Sequence, residues 1–305
     1  MEIIKQTFSA AREKPVKRIS FVAGLHGDEL EGVYLCHQII ETLQHLKDTQ
    51  PEAFQGEVHV YPAVNPEALR STSRLWPFFQ SDLNRQMGGD GNGSLTTGFA
   101  QTLLDELQAS SDIVVDIHAS NLHLNELPQI RIIEEFDKKL IPLAELCNTD
   151  LIWVHPSAPV FESTLGYNLN RRKTPTLVVE TGICLRIHQN HCGQILMGMM
   201  NLLRKTGVLK STSPAPQVKP PLLVNPKQVA LVQTSHSGLF ISDVSLGDQV
   251  NKGDPLGKII DAVQGRTLEI VTSPAEGMLF TLREQPVTYQ GSPLARIALK
   301  EAGPK

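Results

Sequence analysis

The sequence predicts an α/β fold, with a mostly parallel sheet flanked by helices and a small all-β region after it. Two observations support this prediction. From residue 17 to residue 209, β-branched runs alternate with helical stretches, as in a parallel sheet with helices on both faces. After a proline-rich segment the chain becomes short apolar runs separated by glycines, which favours short strands. We expect an α/β domain over 1–210, a linker over 211–224 and a β domain over 225–305.

Four segments have the apolar spacing of amphipathic helices, namely 30–46, 98–108, 136–148 and 191–206. The segment 211–221 contains four prolines. Because proline lacks the backbone donor that a helix or a central strand requires, this segment is predicted to be extended.

The end of the first predicted strand carries two residues with metal-binding chemistry. The apolar run 19–22 is followed by a glycine and then by His26 and Glu29. If the helix begins near Gly27, both side chains project in the same direction, one turn apart. An imidazole and a carboxylate at a strand end supply two of the three protein ligands of an open catalytic zinc site. His-x-x-Glu alone is a weak signal, so the segments downstream decide its interpretation.

Two later β runs end in matching residues. The run 112–120 contains Asp116 and His118, and the run 176–182 contains Glu180. Sites in open parallel sheets form at the carboxyl ends of the strands, so these residues should meet. Two histidines and a glutamate would leave the zinc a fourth position for water, whose pKa the metal lowers. Glu180 could then act as general base and acid, and Asp116 could orient an imidazole. Each residue alone more often has a structural role.

Residues 65–74 and 81–86 are mostly polar, contain three arginines and show little apolar periodicity. Arg85 with Asn84 could hold a carboxylate, since a guanidinium binds one in bidentate fashion. Arg74 could polarise a scissile carbonyl and stabilise its developing charge. We interpret Arg70 as a solvated surface residue and Asp82 as a local partner of an arginine.

The order of these motifs is specific: Gly-x-His-Gly-x-Glu-x-x-Gly, Asn-Pro, Arg, Asp-Leu-Asn-Arg, Asp-x-His and Glu-x-Gly. It resembles the succinylglutamate desuccinylase/aspartoacylase family, which are zinc hydrolases with a carboxypeptidase-like fold. The motifs fall within residues 15–205. The resemblance implies one zinc ion per chain, held by His26, Glu29 and His118, with Glu180 as the catalytic carboxylate.

The same resemblance implies roles for residues around the metal. Arg74 would polarise the carbonyl, while Asn84 and Arg85 would hold the substrate carboxylate. A C-terminal tyrosine reaches the site in the family, and Tyr289 is the best candidate here. Some members use an arginine upstream of the catalytic glutamate, but the arginines at 171 and 172 do not align cleanly with it.

The predicted function is zinc-dependent hydrolysis of the amide of a small N-acyl amino acid. A metallocarboxypeptidase acting on peptides is the alternative within the enzymes, and a non-catalytic binding or scaffold protein is the alternative outside them. The expected partner is a small-molecule substrate, and homo-oligomer formation is left open. The acyl group and the amine are not identifiable from the sequence.

Composition excludes several other classes. The net charge of −4 argues against nucleic acid or an anionic membrane as the main partner. No apolar run approaches the ~20 residues that span a bilayer, and the first residues lack a signal-peptide apolar region. The four cysteines are scattered without a disulfide pattern, which favours reduced thiols and a cytoplasmic location.

Two other motifs have alternative interpretations. Cys184, His188, His191 and Cys192 have helical spacing and suit a structural zinc. One continuous segment does not converge four ligands on a tetrahedral ion, so ordinary helix and loop residues are favoured. The glycine run 88–93 is predicted to be a flexible turn, and it lacks the Lys-Ser/Thr of a phosphate-binding loop.

The C-terminal region contains an internal duplication. Residues 253–259 match 291–297 in glycine, proline, leucine, basic residue and isoleucine, and Gly238 and Gly277 precede the two copies at similar distances. The pattern resembles the biotinyl/lipoyl-type barrel. The connecting segment 261–269 has no lysine to modify, so a carrier role is disfavoured. We expect this region to cover the cleft or to mediate oligomerisation.

Overall fold

A computed structural model of the protein describes residues 3–9, 15–89, 93–210 and 217–299. Helices within these residues are α1 (Leu30–Thr49), α2 (Pro66–Arg70), α3 (Leu95–Ser110), α4 (Asp137–Ala144), α5 (Leu165–Arg171) and α6 (Gln189–Lys205). Strands of the α/β part are β1 (Gln6–Ser9), β2 (Arg18–Ala23), β3 (Glu57–Tyr61), β4 (Ile113–Ser120), β5 (Leu124–Ile133), β6 (Leu151–His155), β7 (Thr176–Ile183) and β8 (Leu222–Val224).

Strands of the C-terminal part are β9 (Val229–Gln233), β10 (Gly238–Ser242), β11 (Gln249–Val250), β12 (Pro255–Asp261), β13 (Arg266–Thr272), β14 (Gly277–Arg283), β15 (Val287–Thr288) and β16 (Pro293–Leu299). Part of the glycine run 88–93 and residues 211–216 of the predicted linker lie outside the described residues. The last three residues of that predicted linker form β8, which pairs with β6.

All four predicted helices are present, and their ends differ from the prediction by up to four residues. Helix α3 begins at Leu95 rather than at residue 98, because Ser94 and Thr97 form a capping box. Helix α4 ends at Ala144 rather than at residue 148. Pro142 lies inside it and removes a backbone donor, and the chain then reaches Asn148 with a φ of 55°.

The centre of the molecule is a parallel sheet with the order β3-β2-β4-β7. Strand β5 lies next to β7 in antiparallel orientation, and β6 and β8 continue beyond β5 in parallel. Strand β1 pairs antiparallel with β3 at the opposite edge. The predicted mostly parallel α/β sheet is thereby confirmed, and the predicted strand ends at 22, 120 and 182 lie on neighbouring strands.

Alternate residues of the central strands serve different faces, as the two-residue period of a strand requires. Val115 and Ile117 of β4 and Val179 of β7 pack in a core with α1, α4 and α6. Apolar residues of α3 and α5 form a second core on the other side of the sheet. Residues of the opposite parity in β4 and β7, such as His118 and Glu180, line a cavity. Strand geometry therefore fixes which polar residues face the site.

The duplication predicted from the sequence appears as a repeated pattern of strand pairing. Strand β10 pairs with β12 and with the short β15, while β14 pairs with β16 and with the short β11. The short strand of each half therefore pairs with a strand of the other half. Residues of both sheets pack in one apolar core. Strand β14 also pairs antiparallel with β5, so this region extends the main sheet. Closure into a barrel stays a prediction.

None of the described helices is long and apolar enough to cross a membrane. All four cysteines are free thiols with buried side chains.

Candidate functional site

A tight turn between β2 and α1 carries the first two predicted site residues. Helix α1 begins at Leu30 and not near Gly27 as predicted, so His26 and Glu29 precede the helix. Gly27 is required there, because a Cβ would lie 1.9 Å from the backbone carbon of Ala68. Its N–H donates to the carbonyl of Ser73 at 2.9 Å. This close approach brings the arginine-rich segment against the turn.

His118 completes a cluster of three buried side chains. The Nδ1 atom of His26 lies 2.6 Å from Glu29 Oε1, and Nδ1 of His118 lies 2.8 Å from Glu29 Oε2. The potential ligand atoms of these three residues lie within 4.8 Å of one another. The side chains are nearly inaccessible, with 2%, 3% and 4% of the surface of His26, Glu29 and His118 exposed. Two imidazoles and a carboxylate with convergent lone pairs fit a divalent transition metal ion.

A carboxylate stands behind each imidazole. His26 Nε2 donates to Asp82 Oδ1 at 3.0 Å. His118 Nε2 lies 3.0 Å from Asp116 Oδ2 as an ion pair, without the angle of a hydrogen bond. Asp116 thus lies where the sequence places it, and Asp82 has a partner that the sequence did not indicate. Carboxylates in this position orient metal-binding histidines and make them stronger ligands.

The charges of the cluster are mutually dependent. Burial alone would raise the pKa of Glu29, but the two imidazoles hold it well below its ordinary value. Burial alone would lower the pKa of His118, but Asp116 and Glu29 raise it well above its ordinary value. The site therefore favours positive charge beside the Glu29 carboxylate.

Arg74 lies at the edge of this cluster. Its Nε and Nη2 donate to Asp82 Oδ2 at 3.1 and 2.9 Å, and Nη1 donates to Glu29 Oε1 at 3.4 Å. The prediction that Asp82 partners an arginine is confirmed. Arg70 instead pairs with Glu67 on the surface, in agreement with its interpretation as a solvated residue.

Glu180 lies beside His118, since the two residues are register partners of the parallel strands β7 and β4. Burial raises the pKa of Glu180 to about 7, while the Arg131 guanidinium and the His118 ring oppose that rise. Arg131 Nη1 donates to Glu180 Oε1 at 3.3 Å. A carboxyl group whose pKa lies near neutrality can both accept and return a proton.

Asn84 and Arg85 line the same cavity of about 290 Å³ as the cluster, Arg74 and Glu180. Asn84 Oδ1 accepts a hydrogen bond from the backbone N–H of Leu165 at 2.8 Å, so its oxygen is engaged in holding the start of α5. Arg85 Nη1 donates to the backbone carbonyl of Asn84 at 2.9 Å. The structure thus brings seven of the eight predicted site residues to one cavity.

Tyr289 is the eighth, and it lies elsewhere. It follows β15, is 72% exposed, and lines a neighbouring cleft with residues such as His123 and Gln285. In this conformation its ring is not part of the cavity wall.

The cavity wall also contains a buried polar group that was not predicted from the sequence. Glu126 of β5 accepts from Arg131 Nη2 at 2.6 Å and from Arg296 Nη1 of β16 at 3.3 Å. Both guanidinium groups lie over the Trp153 ring, 5.8 and 5.6 Å from its centre. Burial, with these two arginines, lowers the pKa of His155 to about 3. The sequence signal for this group is Arg131, a charged residue inside the apolar run 130–133.

The disfavoured zinc cluster of Cys184, His188, His191 and Cys192 is not formed. Cys184 Sγ donates to the Ser120 carbonyl at 2.8 Å, and Cys192 contacts the carbonyl of Glu31. His188 and His191 instead lie together with the carboxylate of Glu31. Helical spacing paired the histidines correctly, but their carboxylate partner comes from α1, far away in sequence.

Known proteins resemble the chain in sequence and in fold. The chain is 24% identical to the N-alpha-acetyl-L-2,4-diaminobutyric acid deacetylase of Halomonas elongata over 90% of this chain and 80% of that protein. Among solved structures, it resembles the product-bound ectoine utilization protein EutE (DoeB) of Ruegeria pomeroyi, with a TM-score of 0.79, 19% identity and coverage of 98% and 89% of the two chains.

A succinylglutamate desuccinylase/aspartoacylase structure from Rhodobacter sphaeroides gives a TM-score of 0.78 at 23% identity, over 97% of this chain and 89% of that one. These structural likenesses establish the fold. The family model of the succinylglutamate desuccinylase/aspartoacylase catalytic domain matches residues 15–206. That range includes the whole cluster, Arg74, Asn84, Arg85 and Glu180, and the chain therefore belongs to the succinylglutamate desuccinylase/aspartoacylase family.

Proposed function

We propose that the protein is a zinc-dependent deacylase that hydrolyses the amide bond of a small N-acyl amino acid. One observation carries the proposal: His26, Glu29 and His118 converge on the wall of a cavity that also contains Glu180 and Arg74. Membership of a family of hydrolases and the likeness to a curated deacetylase support it.

His26, Glu29 and His118 would hold the zinc ion, with Asp82 and Asp116 fixing the two rings from behind. When bound, zinc supplies Lewis-acid chemistry to a water molecule and to the scissile carbonyl. The donor set of two imidazoles and one carboxylate is that of open catalytic zinc sites, which leave one position for water or substrate.

Glu180 is the proposed proton carrier. It would accept a proton from the attacking water and return it to the leaving nitrogen, which departs as an amine. Its pKa of about 7 suits both halves of that task at neutral pH. Arg74 would place positive charge beside the carbonyl oxygen, where negative charge develops. Asp82 holds two of its nitrogens, so the guanidinium is oriented before substrate arrives.

The cavity supports a compact substrate with a carboxylate. Its volume of about 290 Å³ is at the lower end of the range for small-molecule sites. Arg85 contributes a guanidinium to the wall, and a carboxylate is the group that its planar donors bind best. The N-acetyl amino acid named in the description of the Halomonas elongata relative is a substrate of this class.

The test is to measure bound zinc by mass spectrometry together with hydrolysis of a panel of N-acyl amino acids, using protein purified without chelator or a histidine tag. We expect His118→Ala to lose one zinc equivalent relative to the wild type and to lose hydrolysis. His37→Ala is the matched control, because it removes an exposed histidine that pairs with Glu41 on the surface of α1.

Three results would contradict the proposal. Equal zinc in the wild type and in His118→Ala would show that this cluster does not bind the ion. If His118→Ala loses zinc but the zinc-loaded wild type hydrolyses no amide in the panel, a non-catalytic binding protein with this fold would be favoured. Cleavage confined to C-terminal residues of peptides would instead identify a carboxypeptidase.

A further inference from the structure

A second group of metal-binding side chains lies beside the start of α1. Glu31 is fully buried, with 0% of its surface exposed. Its carboxylate lies against Gly182 near the end of β7, where a Cβ would come within 2.3 Å of both carboxylate oxygens. Gly182 has a φ of 62°, so both its conformation and the carboxylate above it favour glycine. Glu31 is thereby fixed between α1 and the strand that carries Glu180.

Two histidines at the start of α6 face this carboxylate. His188 precedes the first residue of the helix and His191 lies in its first turn, so both side chains project to the same side. Their ring centres are 5.2 Å apart. The backbone N–H of His188 donates to Glu31 Oε1 at 2.8 Å, and its Nδ1 contacts the same oxygen. The possible ligand atoms of Glu31, His188 and His191 lie within 4.8 Å of one another.

Two of these atoms are buried without a hydrogen-bond partner among the described residues. They are Glu31 Oε2 and His191 Nδ1. Leaving a buried polar atom unpaired is costly, so native structures normally supply a partner. Both atoms belong to the one group of side chains that converge there, and both carry lone pairs that a cation accepts. A single cation would therefore satisfy both atoms at once.

We propose that Glu31, His188 and His191 bind a second divalent metal ion, distinct from the ion at His26, Glu29 and His118. Two imidazoles and a carboxylate favour zinc among the common divalent ions. The ion would link the start of α1 to the start of α6 through ligands from two segments of the chain. No acid, base or arginine of the catalytic cavity is among its ligands, which assigns it a structural role.

Metal content after dialysis against buffer containing zinc, followed by metal-free buffer, tests this assignment. We expect about two zinc ions per chain in the wild type and about one in each of His118→Ala, His191→Ala and Glu31→Gln. Glu31→Gln keeps the size of the side chain while removing the charge. His37→Ala, on the exposed face of α1, should retain both ions. Far-UV circular dichroism identifies any variant that does not fold.

The outcomes separate this assignment from the catalytic one. One ion in the wild type that is lost in His118→Ala but retained in Glu31→Gln would overturn the second site and leave the proposed function standing. One ion that is lost in Glu31→Gln and retained in His118→Ala would support the second site and contradict the catalytic one. Two ions retained in both Glu31→Gln and His191→Ala would overturn the second site. If His191→Ala does not fold, the Glu31→Gln result decides the matter.

Discussion

Two groups of one carboxylate and two imidazoles flank the start of α1, and they differ in what surrounds them. Glu29 and Glu31 are separated by one residue. Glu29 meets His26 of its own turn and His118 of β4, whereas Glu31 meets two histidines at the start of α6. The group of Glu29 opens into a cavity with Glu180 and Arg74. The group of Glu31 lies against Gly182 and is not part of that cavity wall. The same ligand types therefore support different roles, because the neighbouring acid, base and open space decide the chemistry.

The residues behind the imidazoles differ as well. Asp82 and Asp116 stand behind His26 and His118, whereas His188 Nε2 lies 3.4 Å from the amide nitrogen of Asn125. A carboxylate makes a histidine a stronger ligand and fixes its orientation, which an amide does less well. We therefore expect the Glu29 group to bind zinc more tightly.

Replacing Glu180, the proposed proton carrier, should give the largest effect on kcat. Without it the Glu29 group lacks a neighbouring base and resembles the Glu31 group. Glu180→Gln keeps the size of the side chain but cannot accept a proton. We expect kcat to fall by roughly 10²–10⁴-fold, with zinc content unchanged, as measured by steady-state hydrolysis and mass spectrometry.

Glu41→Gln is the matched control for this substitution, because Glu41 is an exposed carboxylate of α1. Activity within a few-fold of the wild type in Glu180→Gln would contradict the assignment of Glu180 as the base. That result would also remove the main difference between the Glu29 group and the Glu31 group.

The next largest effect on kcat should come from replacing Arg74, which lies beside the Glu29 group. Arg74→Met removes the guanidinium that Asp82 and Glu29 hold in place. We expect kcat to fall roughly 10²–10³-fold, because charge on the carbonyl oxygen loses its stabilising partner.

Arg70→Met provides the control, since Arg70 pairs with Glu67 in solvent and should leave kcat unchanged. An effect confined to KM in Arg74→Met would mean that Arg74 binds the substrate equally well before and during the reaction.

Sequence alone predicted the central sheet and the first group well, because both depend on local patterns. Apolar runs that end in His118 and Glu180 mark strand ends, and parallel strands bring those ends together. The group of Glu31, His188 and His191 was not predicted, since periodicity within 184–192 could not reveal that Glu31 approaches from α1. Contacts between distant segments depend on packing, which a single segment does not encode.

The duplicated motif shows the same limit. Lys258 and Arg296 occupy equivalent positions in the two copies, yet Lys258 is exposed while Arg296 lines the cavity. The pairing of β14 with β5 brings one copy to the site. Nothing in the repeat distinguishes the copy that joins the sheet, so the contribution of Arg296 could not be predicted.

Substituting Arg131 should have a smaller effect, on the pH dependence of kcat/KM. Its positive charge favours the ionised form of Glu180 and so opposes the rise in the pKa of that residue. In Arg131→Met the pKa of Glu180 should rise further, and activity that requires the ionised carboxylate should be lost at a higher pH. We expect the acidic limb of the kcat/KM profile to move to higher pH by about one pH unit.

Arg131→Lys keeps the charge and should leave the acidic limb close to its wild-type position. A limb that moves equally in both variants would point to the lost packing against Trp153 rather than to charge. No movement in either variant would show that another group controls the limb.

The smallest effect should come from replacing Tyr289, and it tests whether the cavity beside the Glu29 group extends to the turn after β15. Tyr289 is 72% exposed and lines the neighbouring cleft, so Tyr289→Phe should change KM by no more than about twofold, as for other surface substitutions. Measuring KM for a short and a long N-acyl amino acid checks this. A tenfold rise in KM for either substrate would show that the turn after β15 reaches into the cavity when substrate is bound. The tyrosine would then act as the family resemblance implies, and the C-terminal region would supply a second residue to the site besides Arg296.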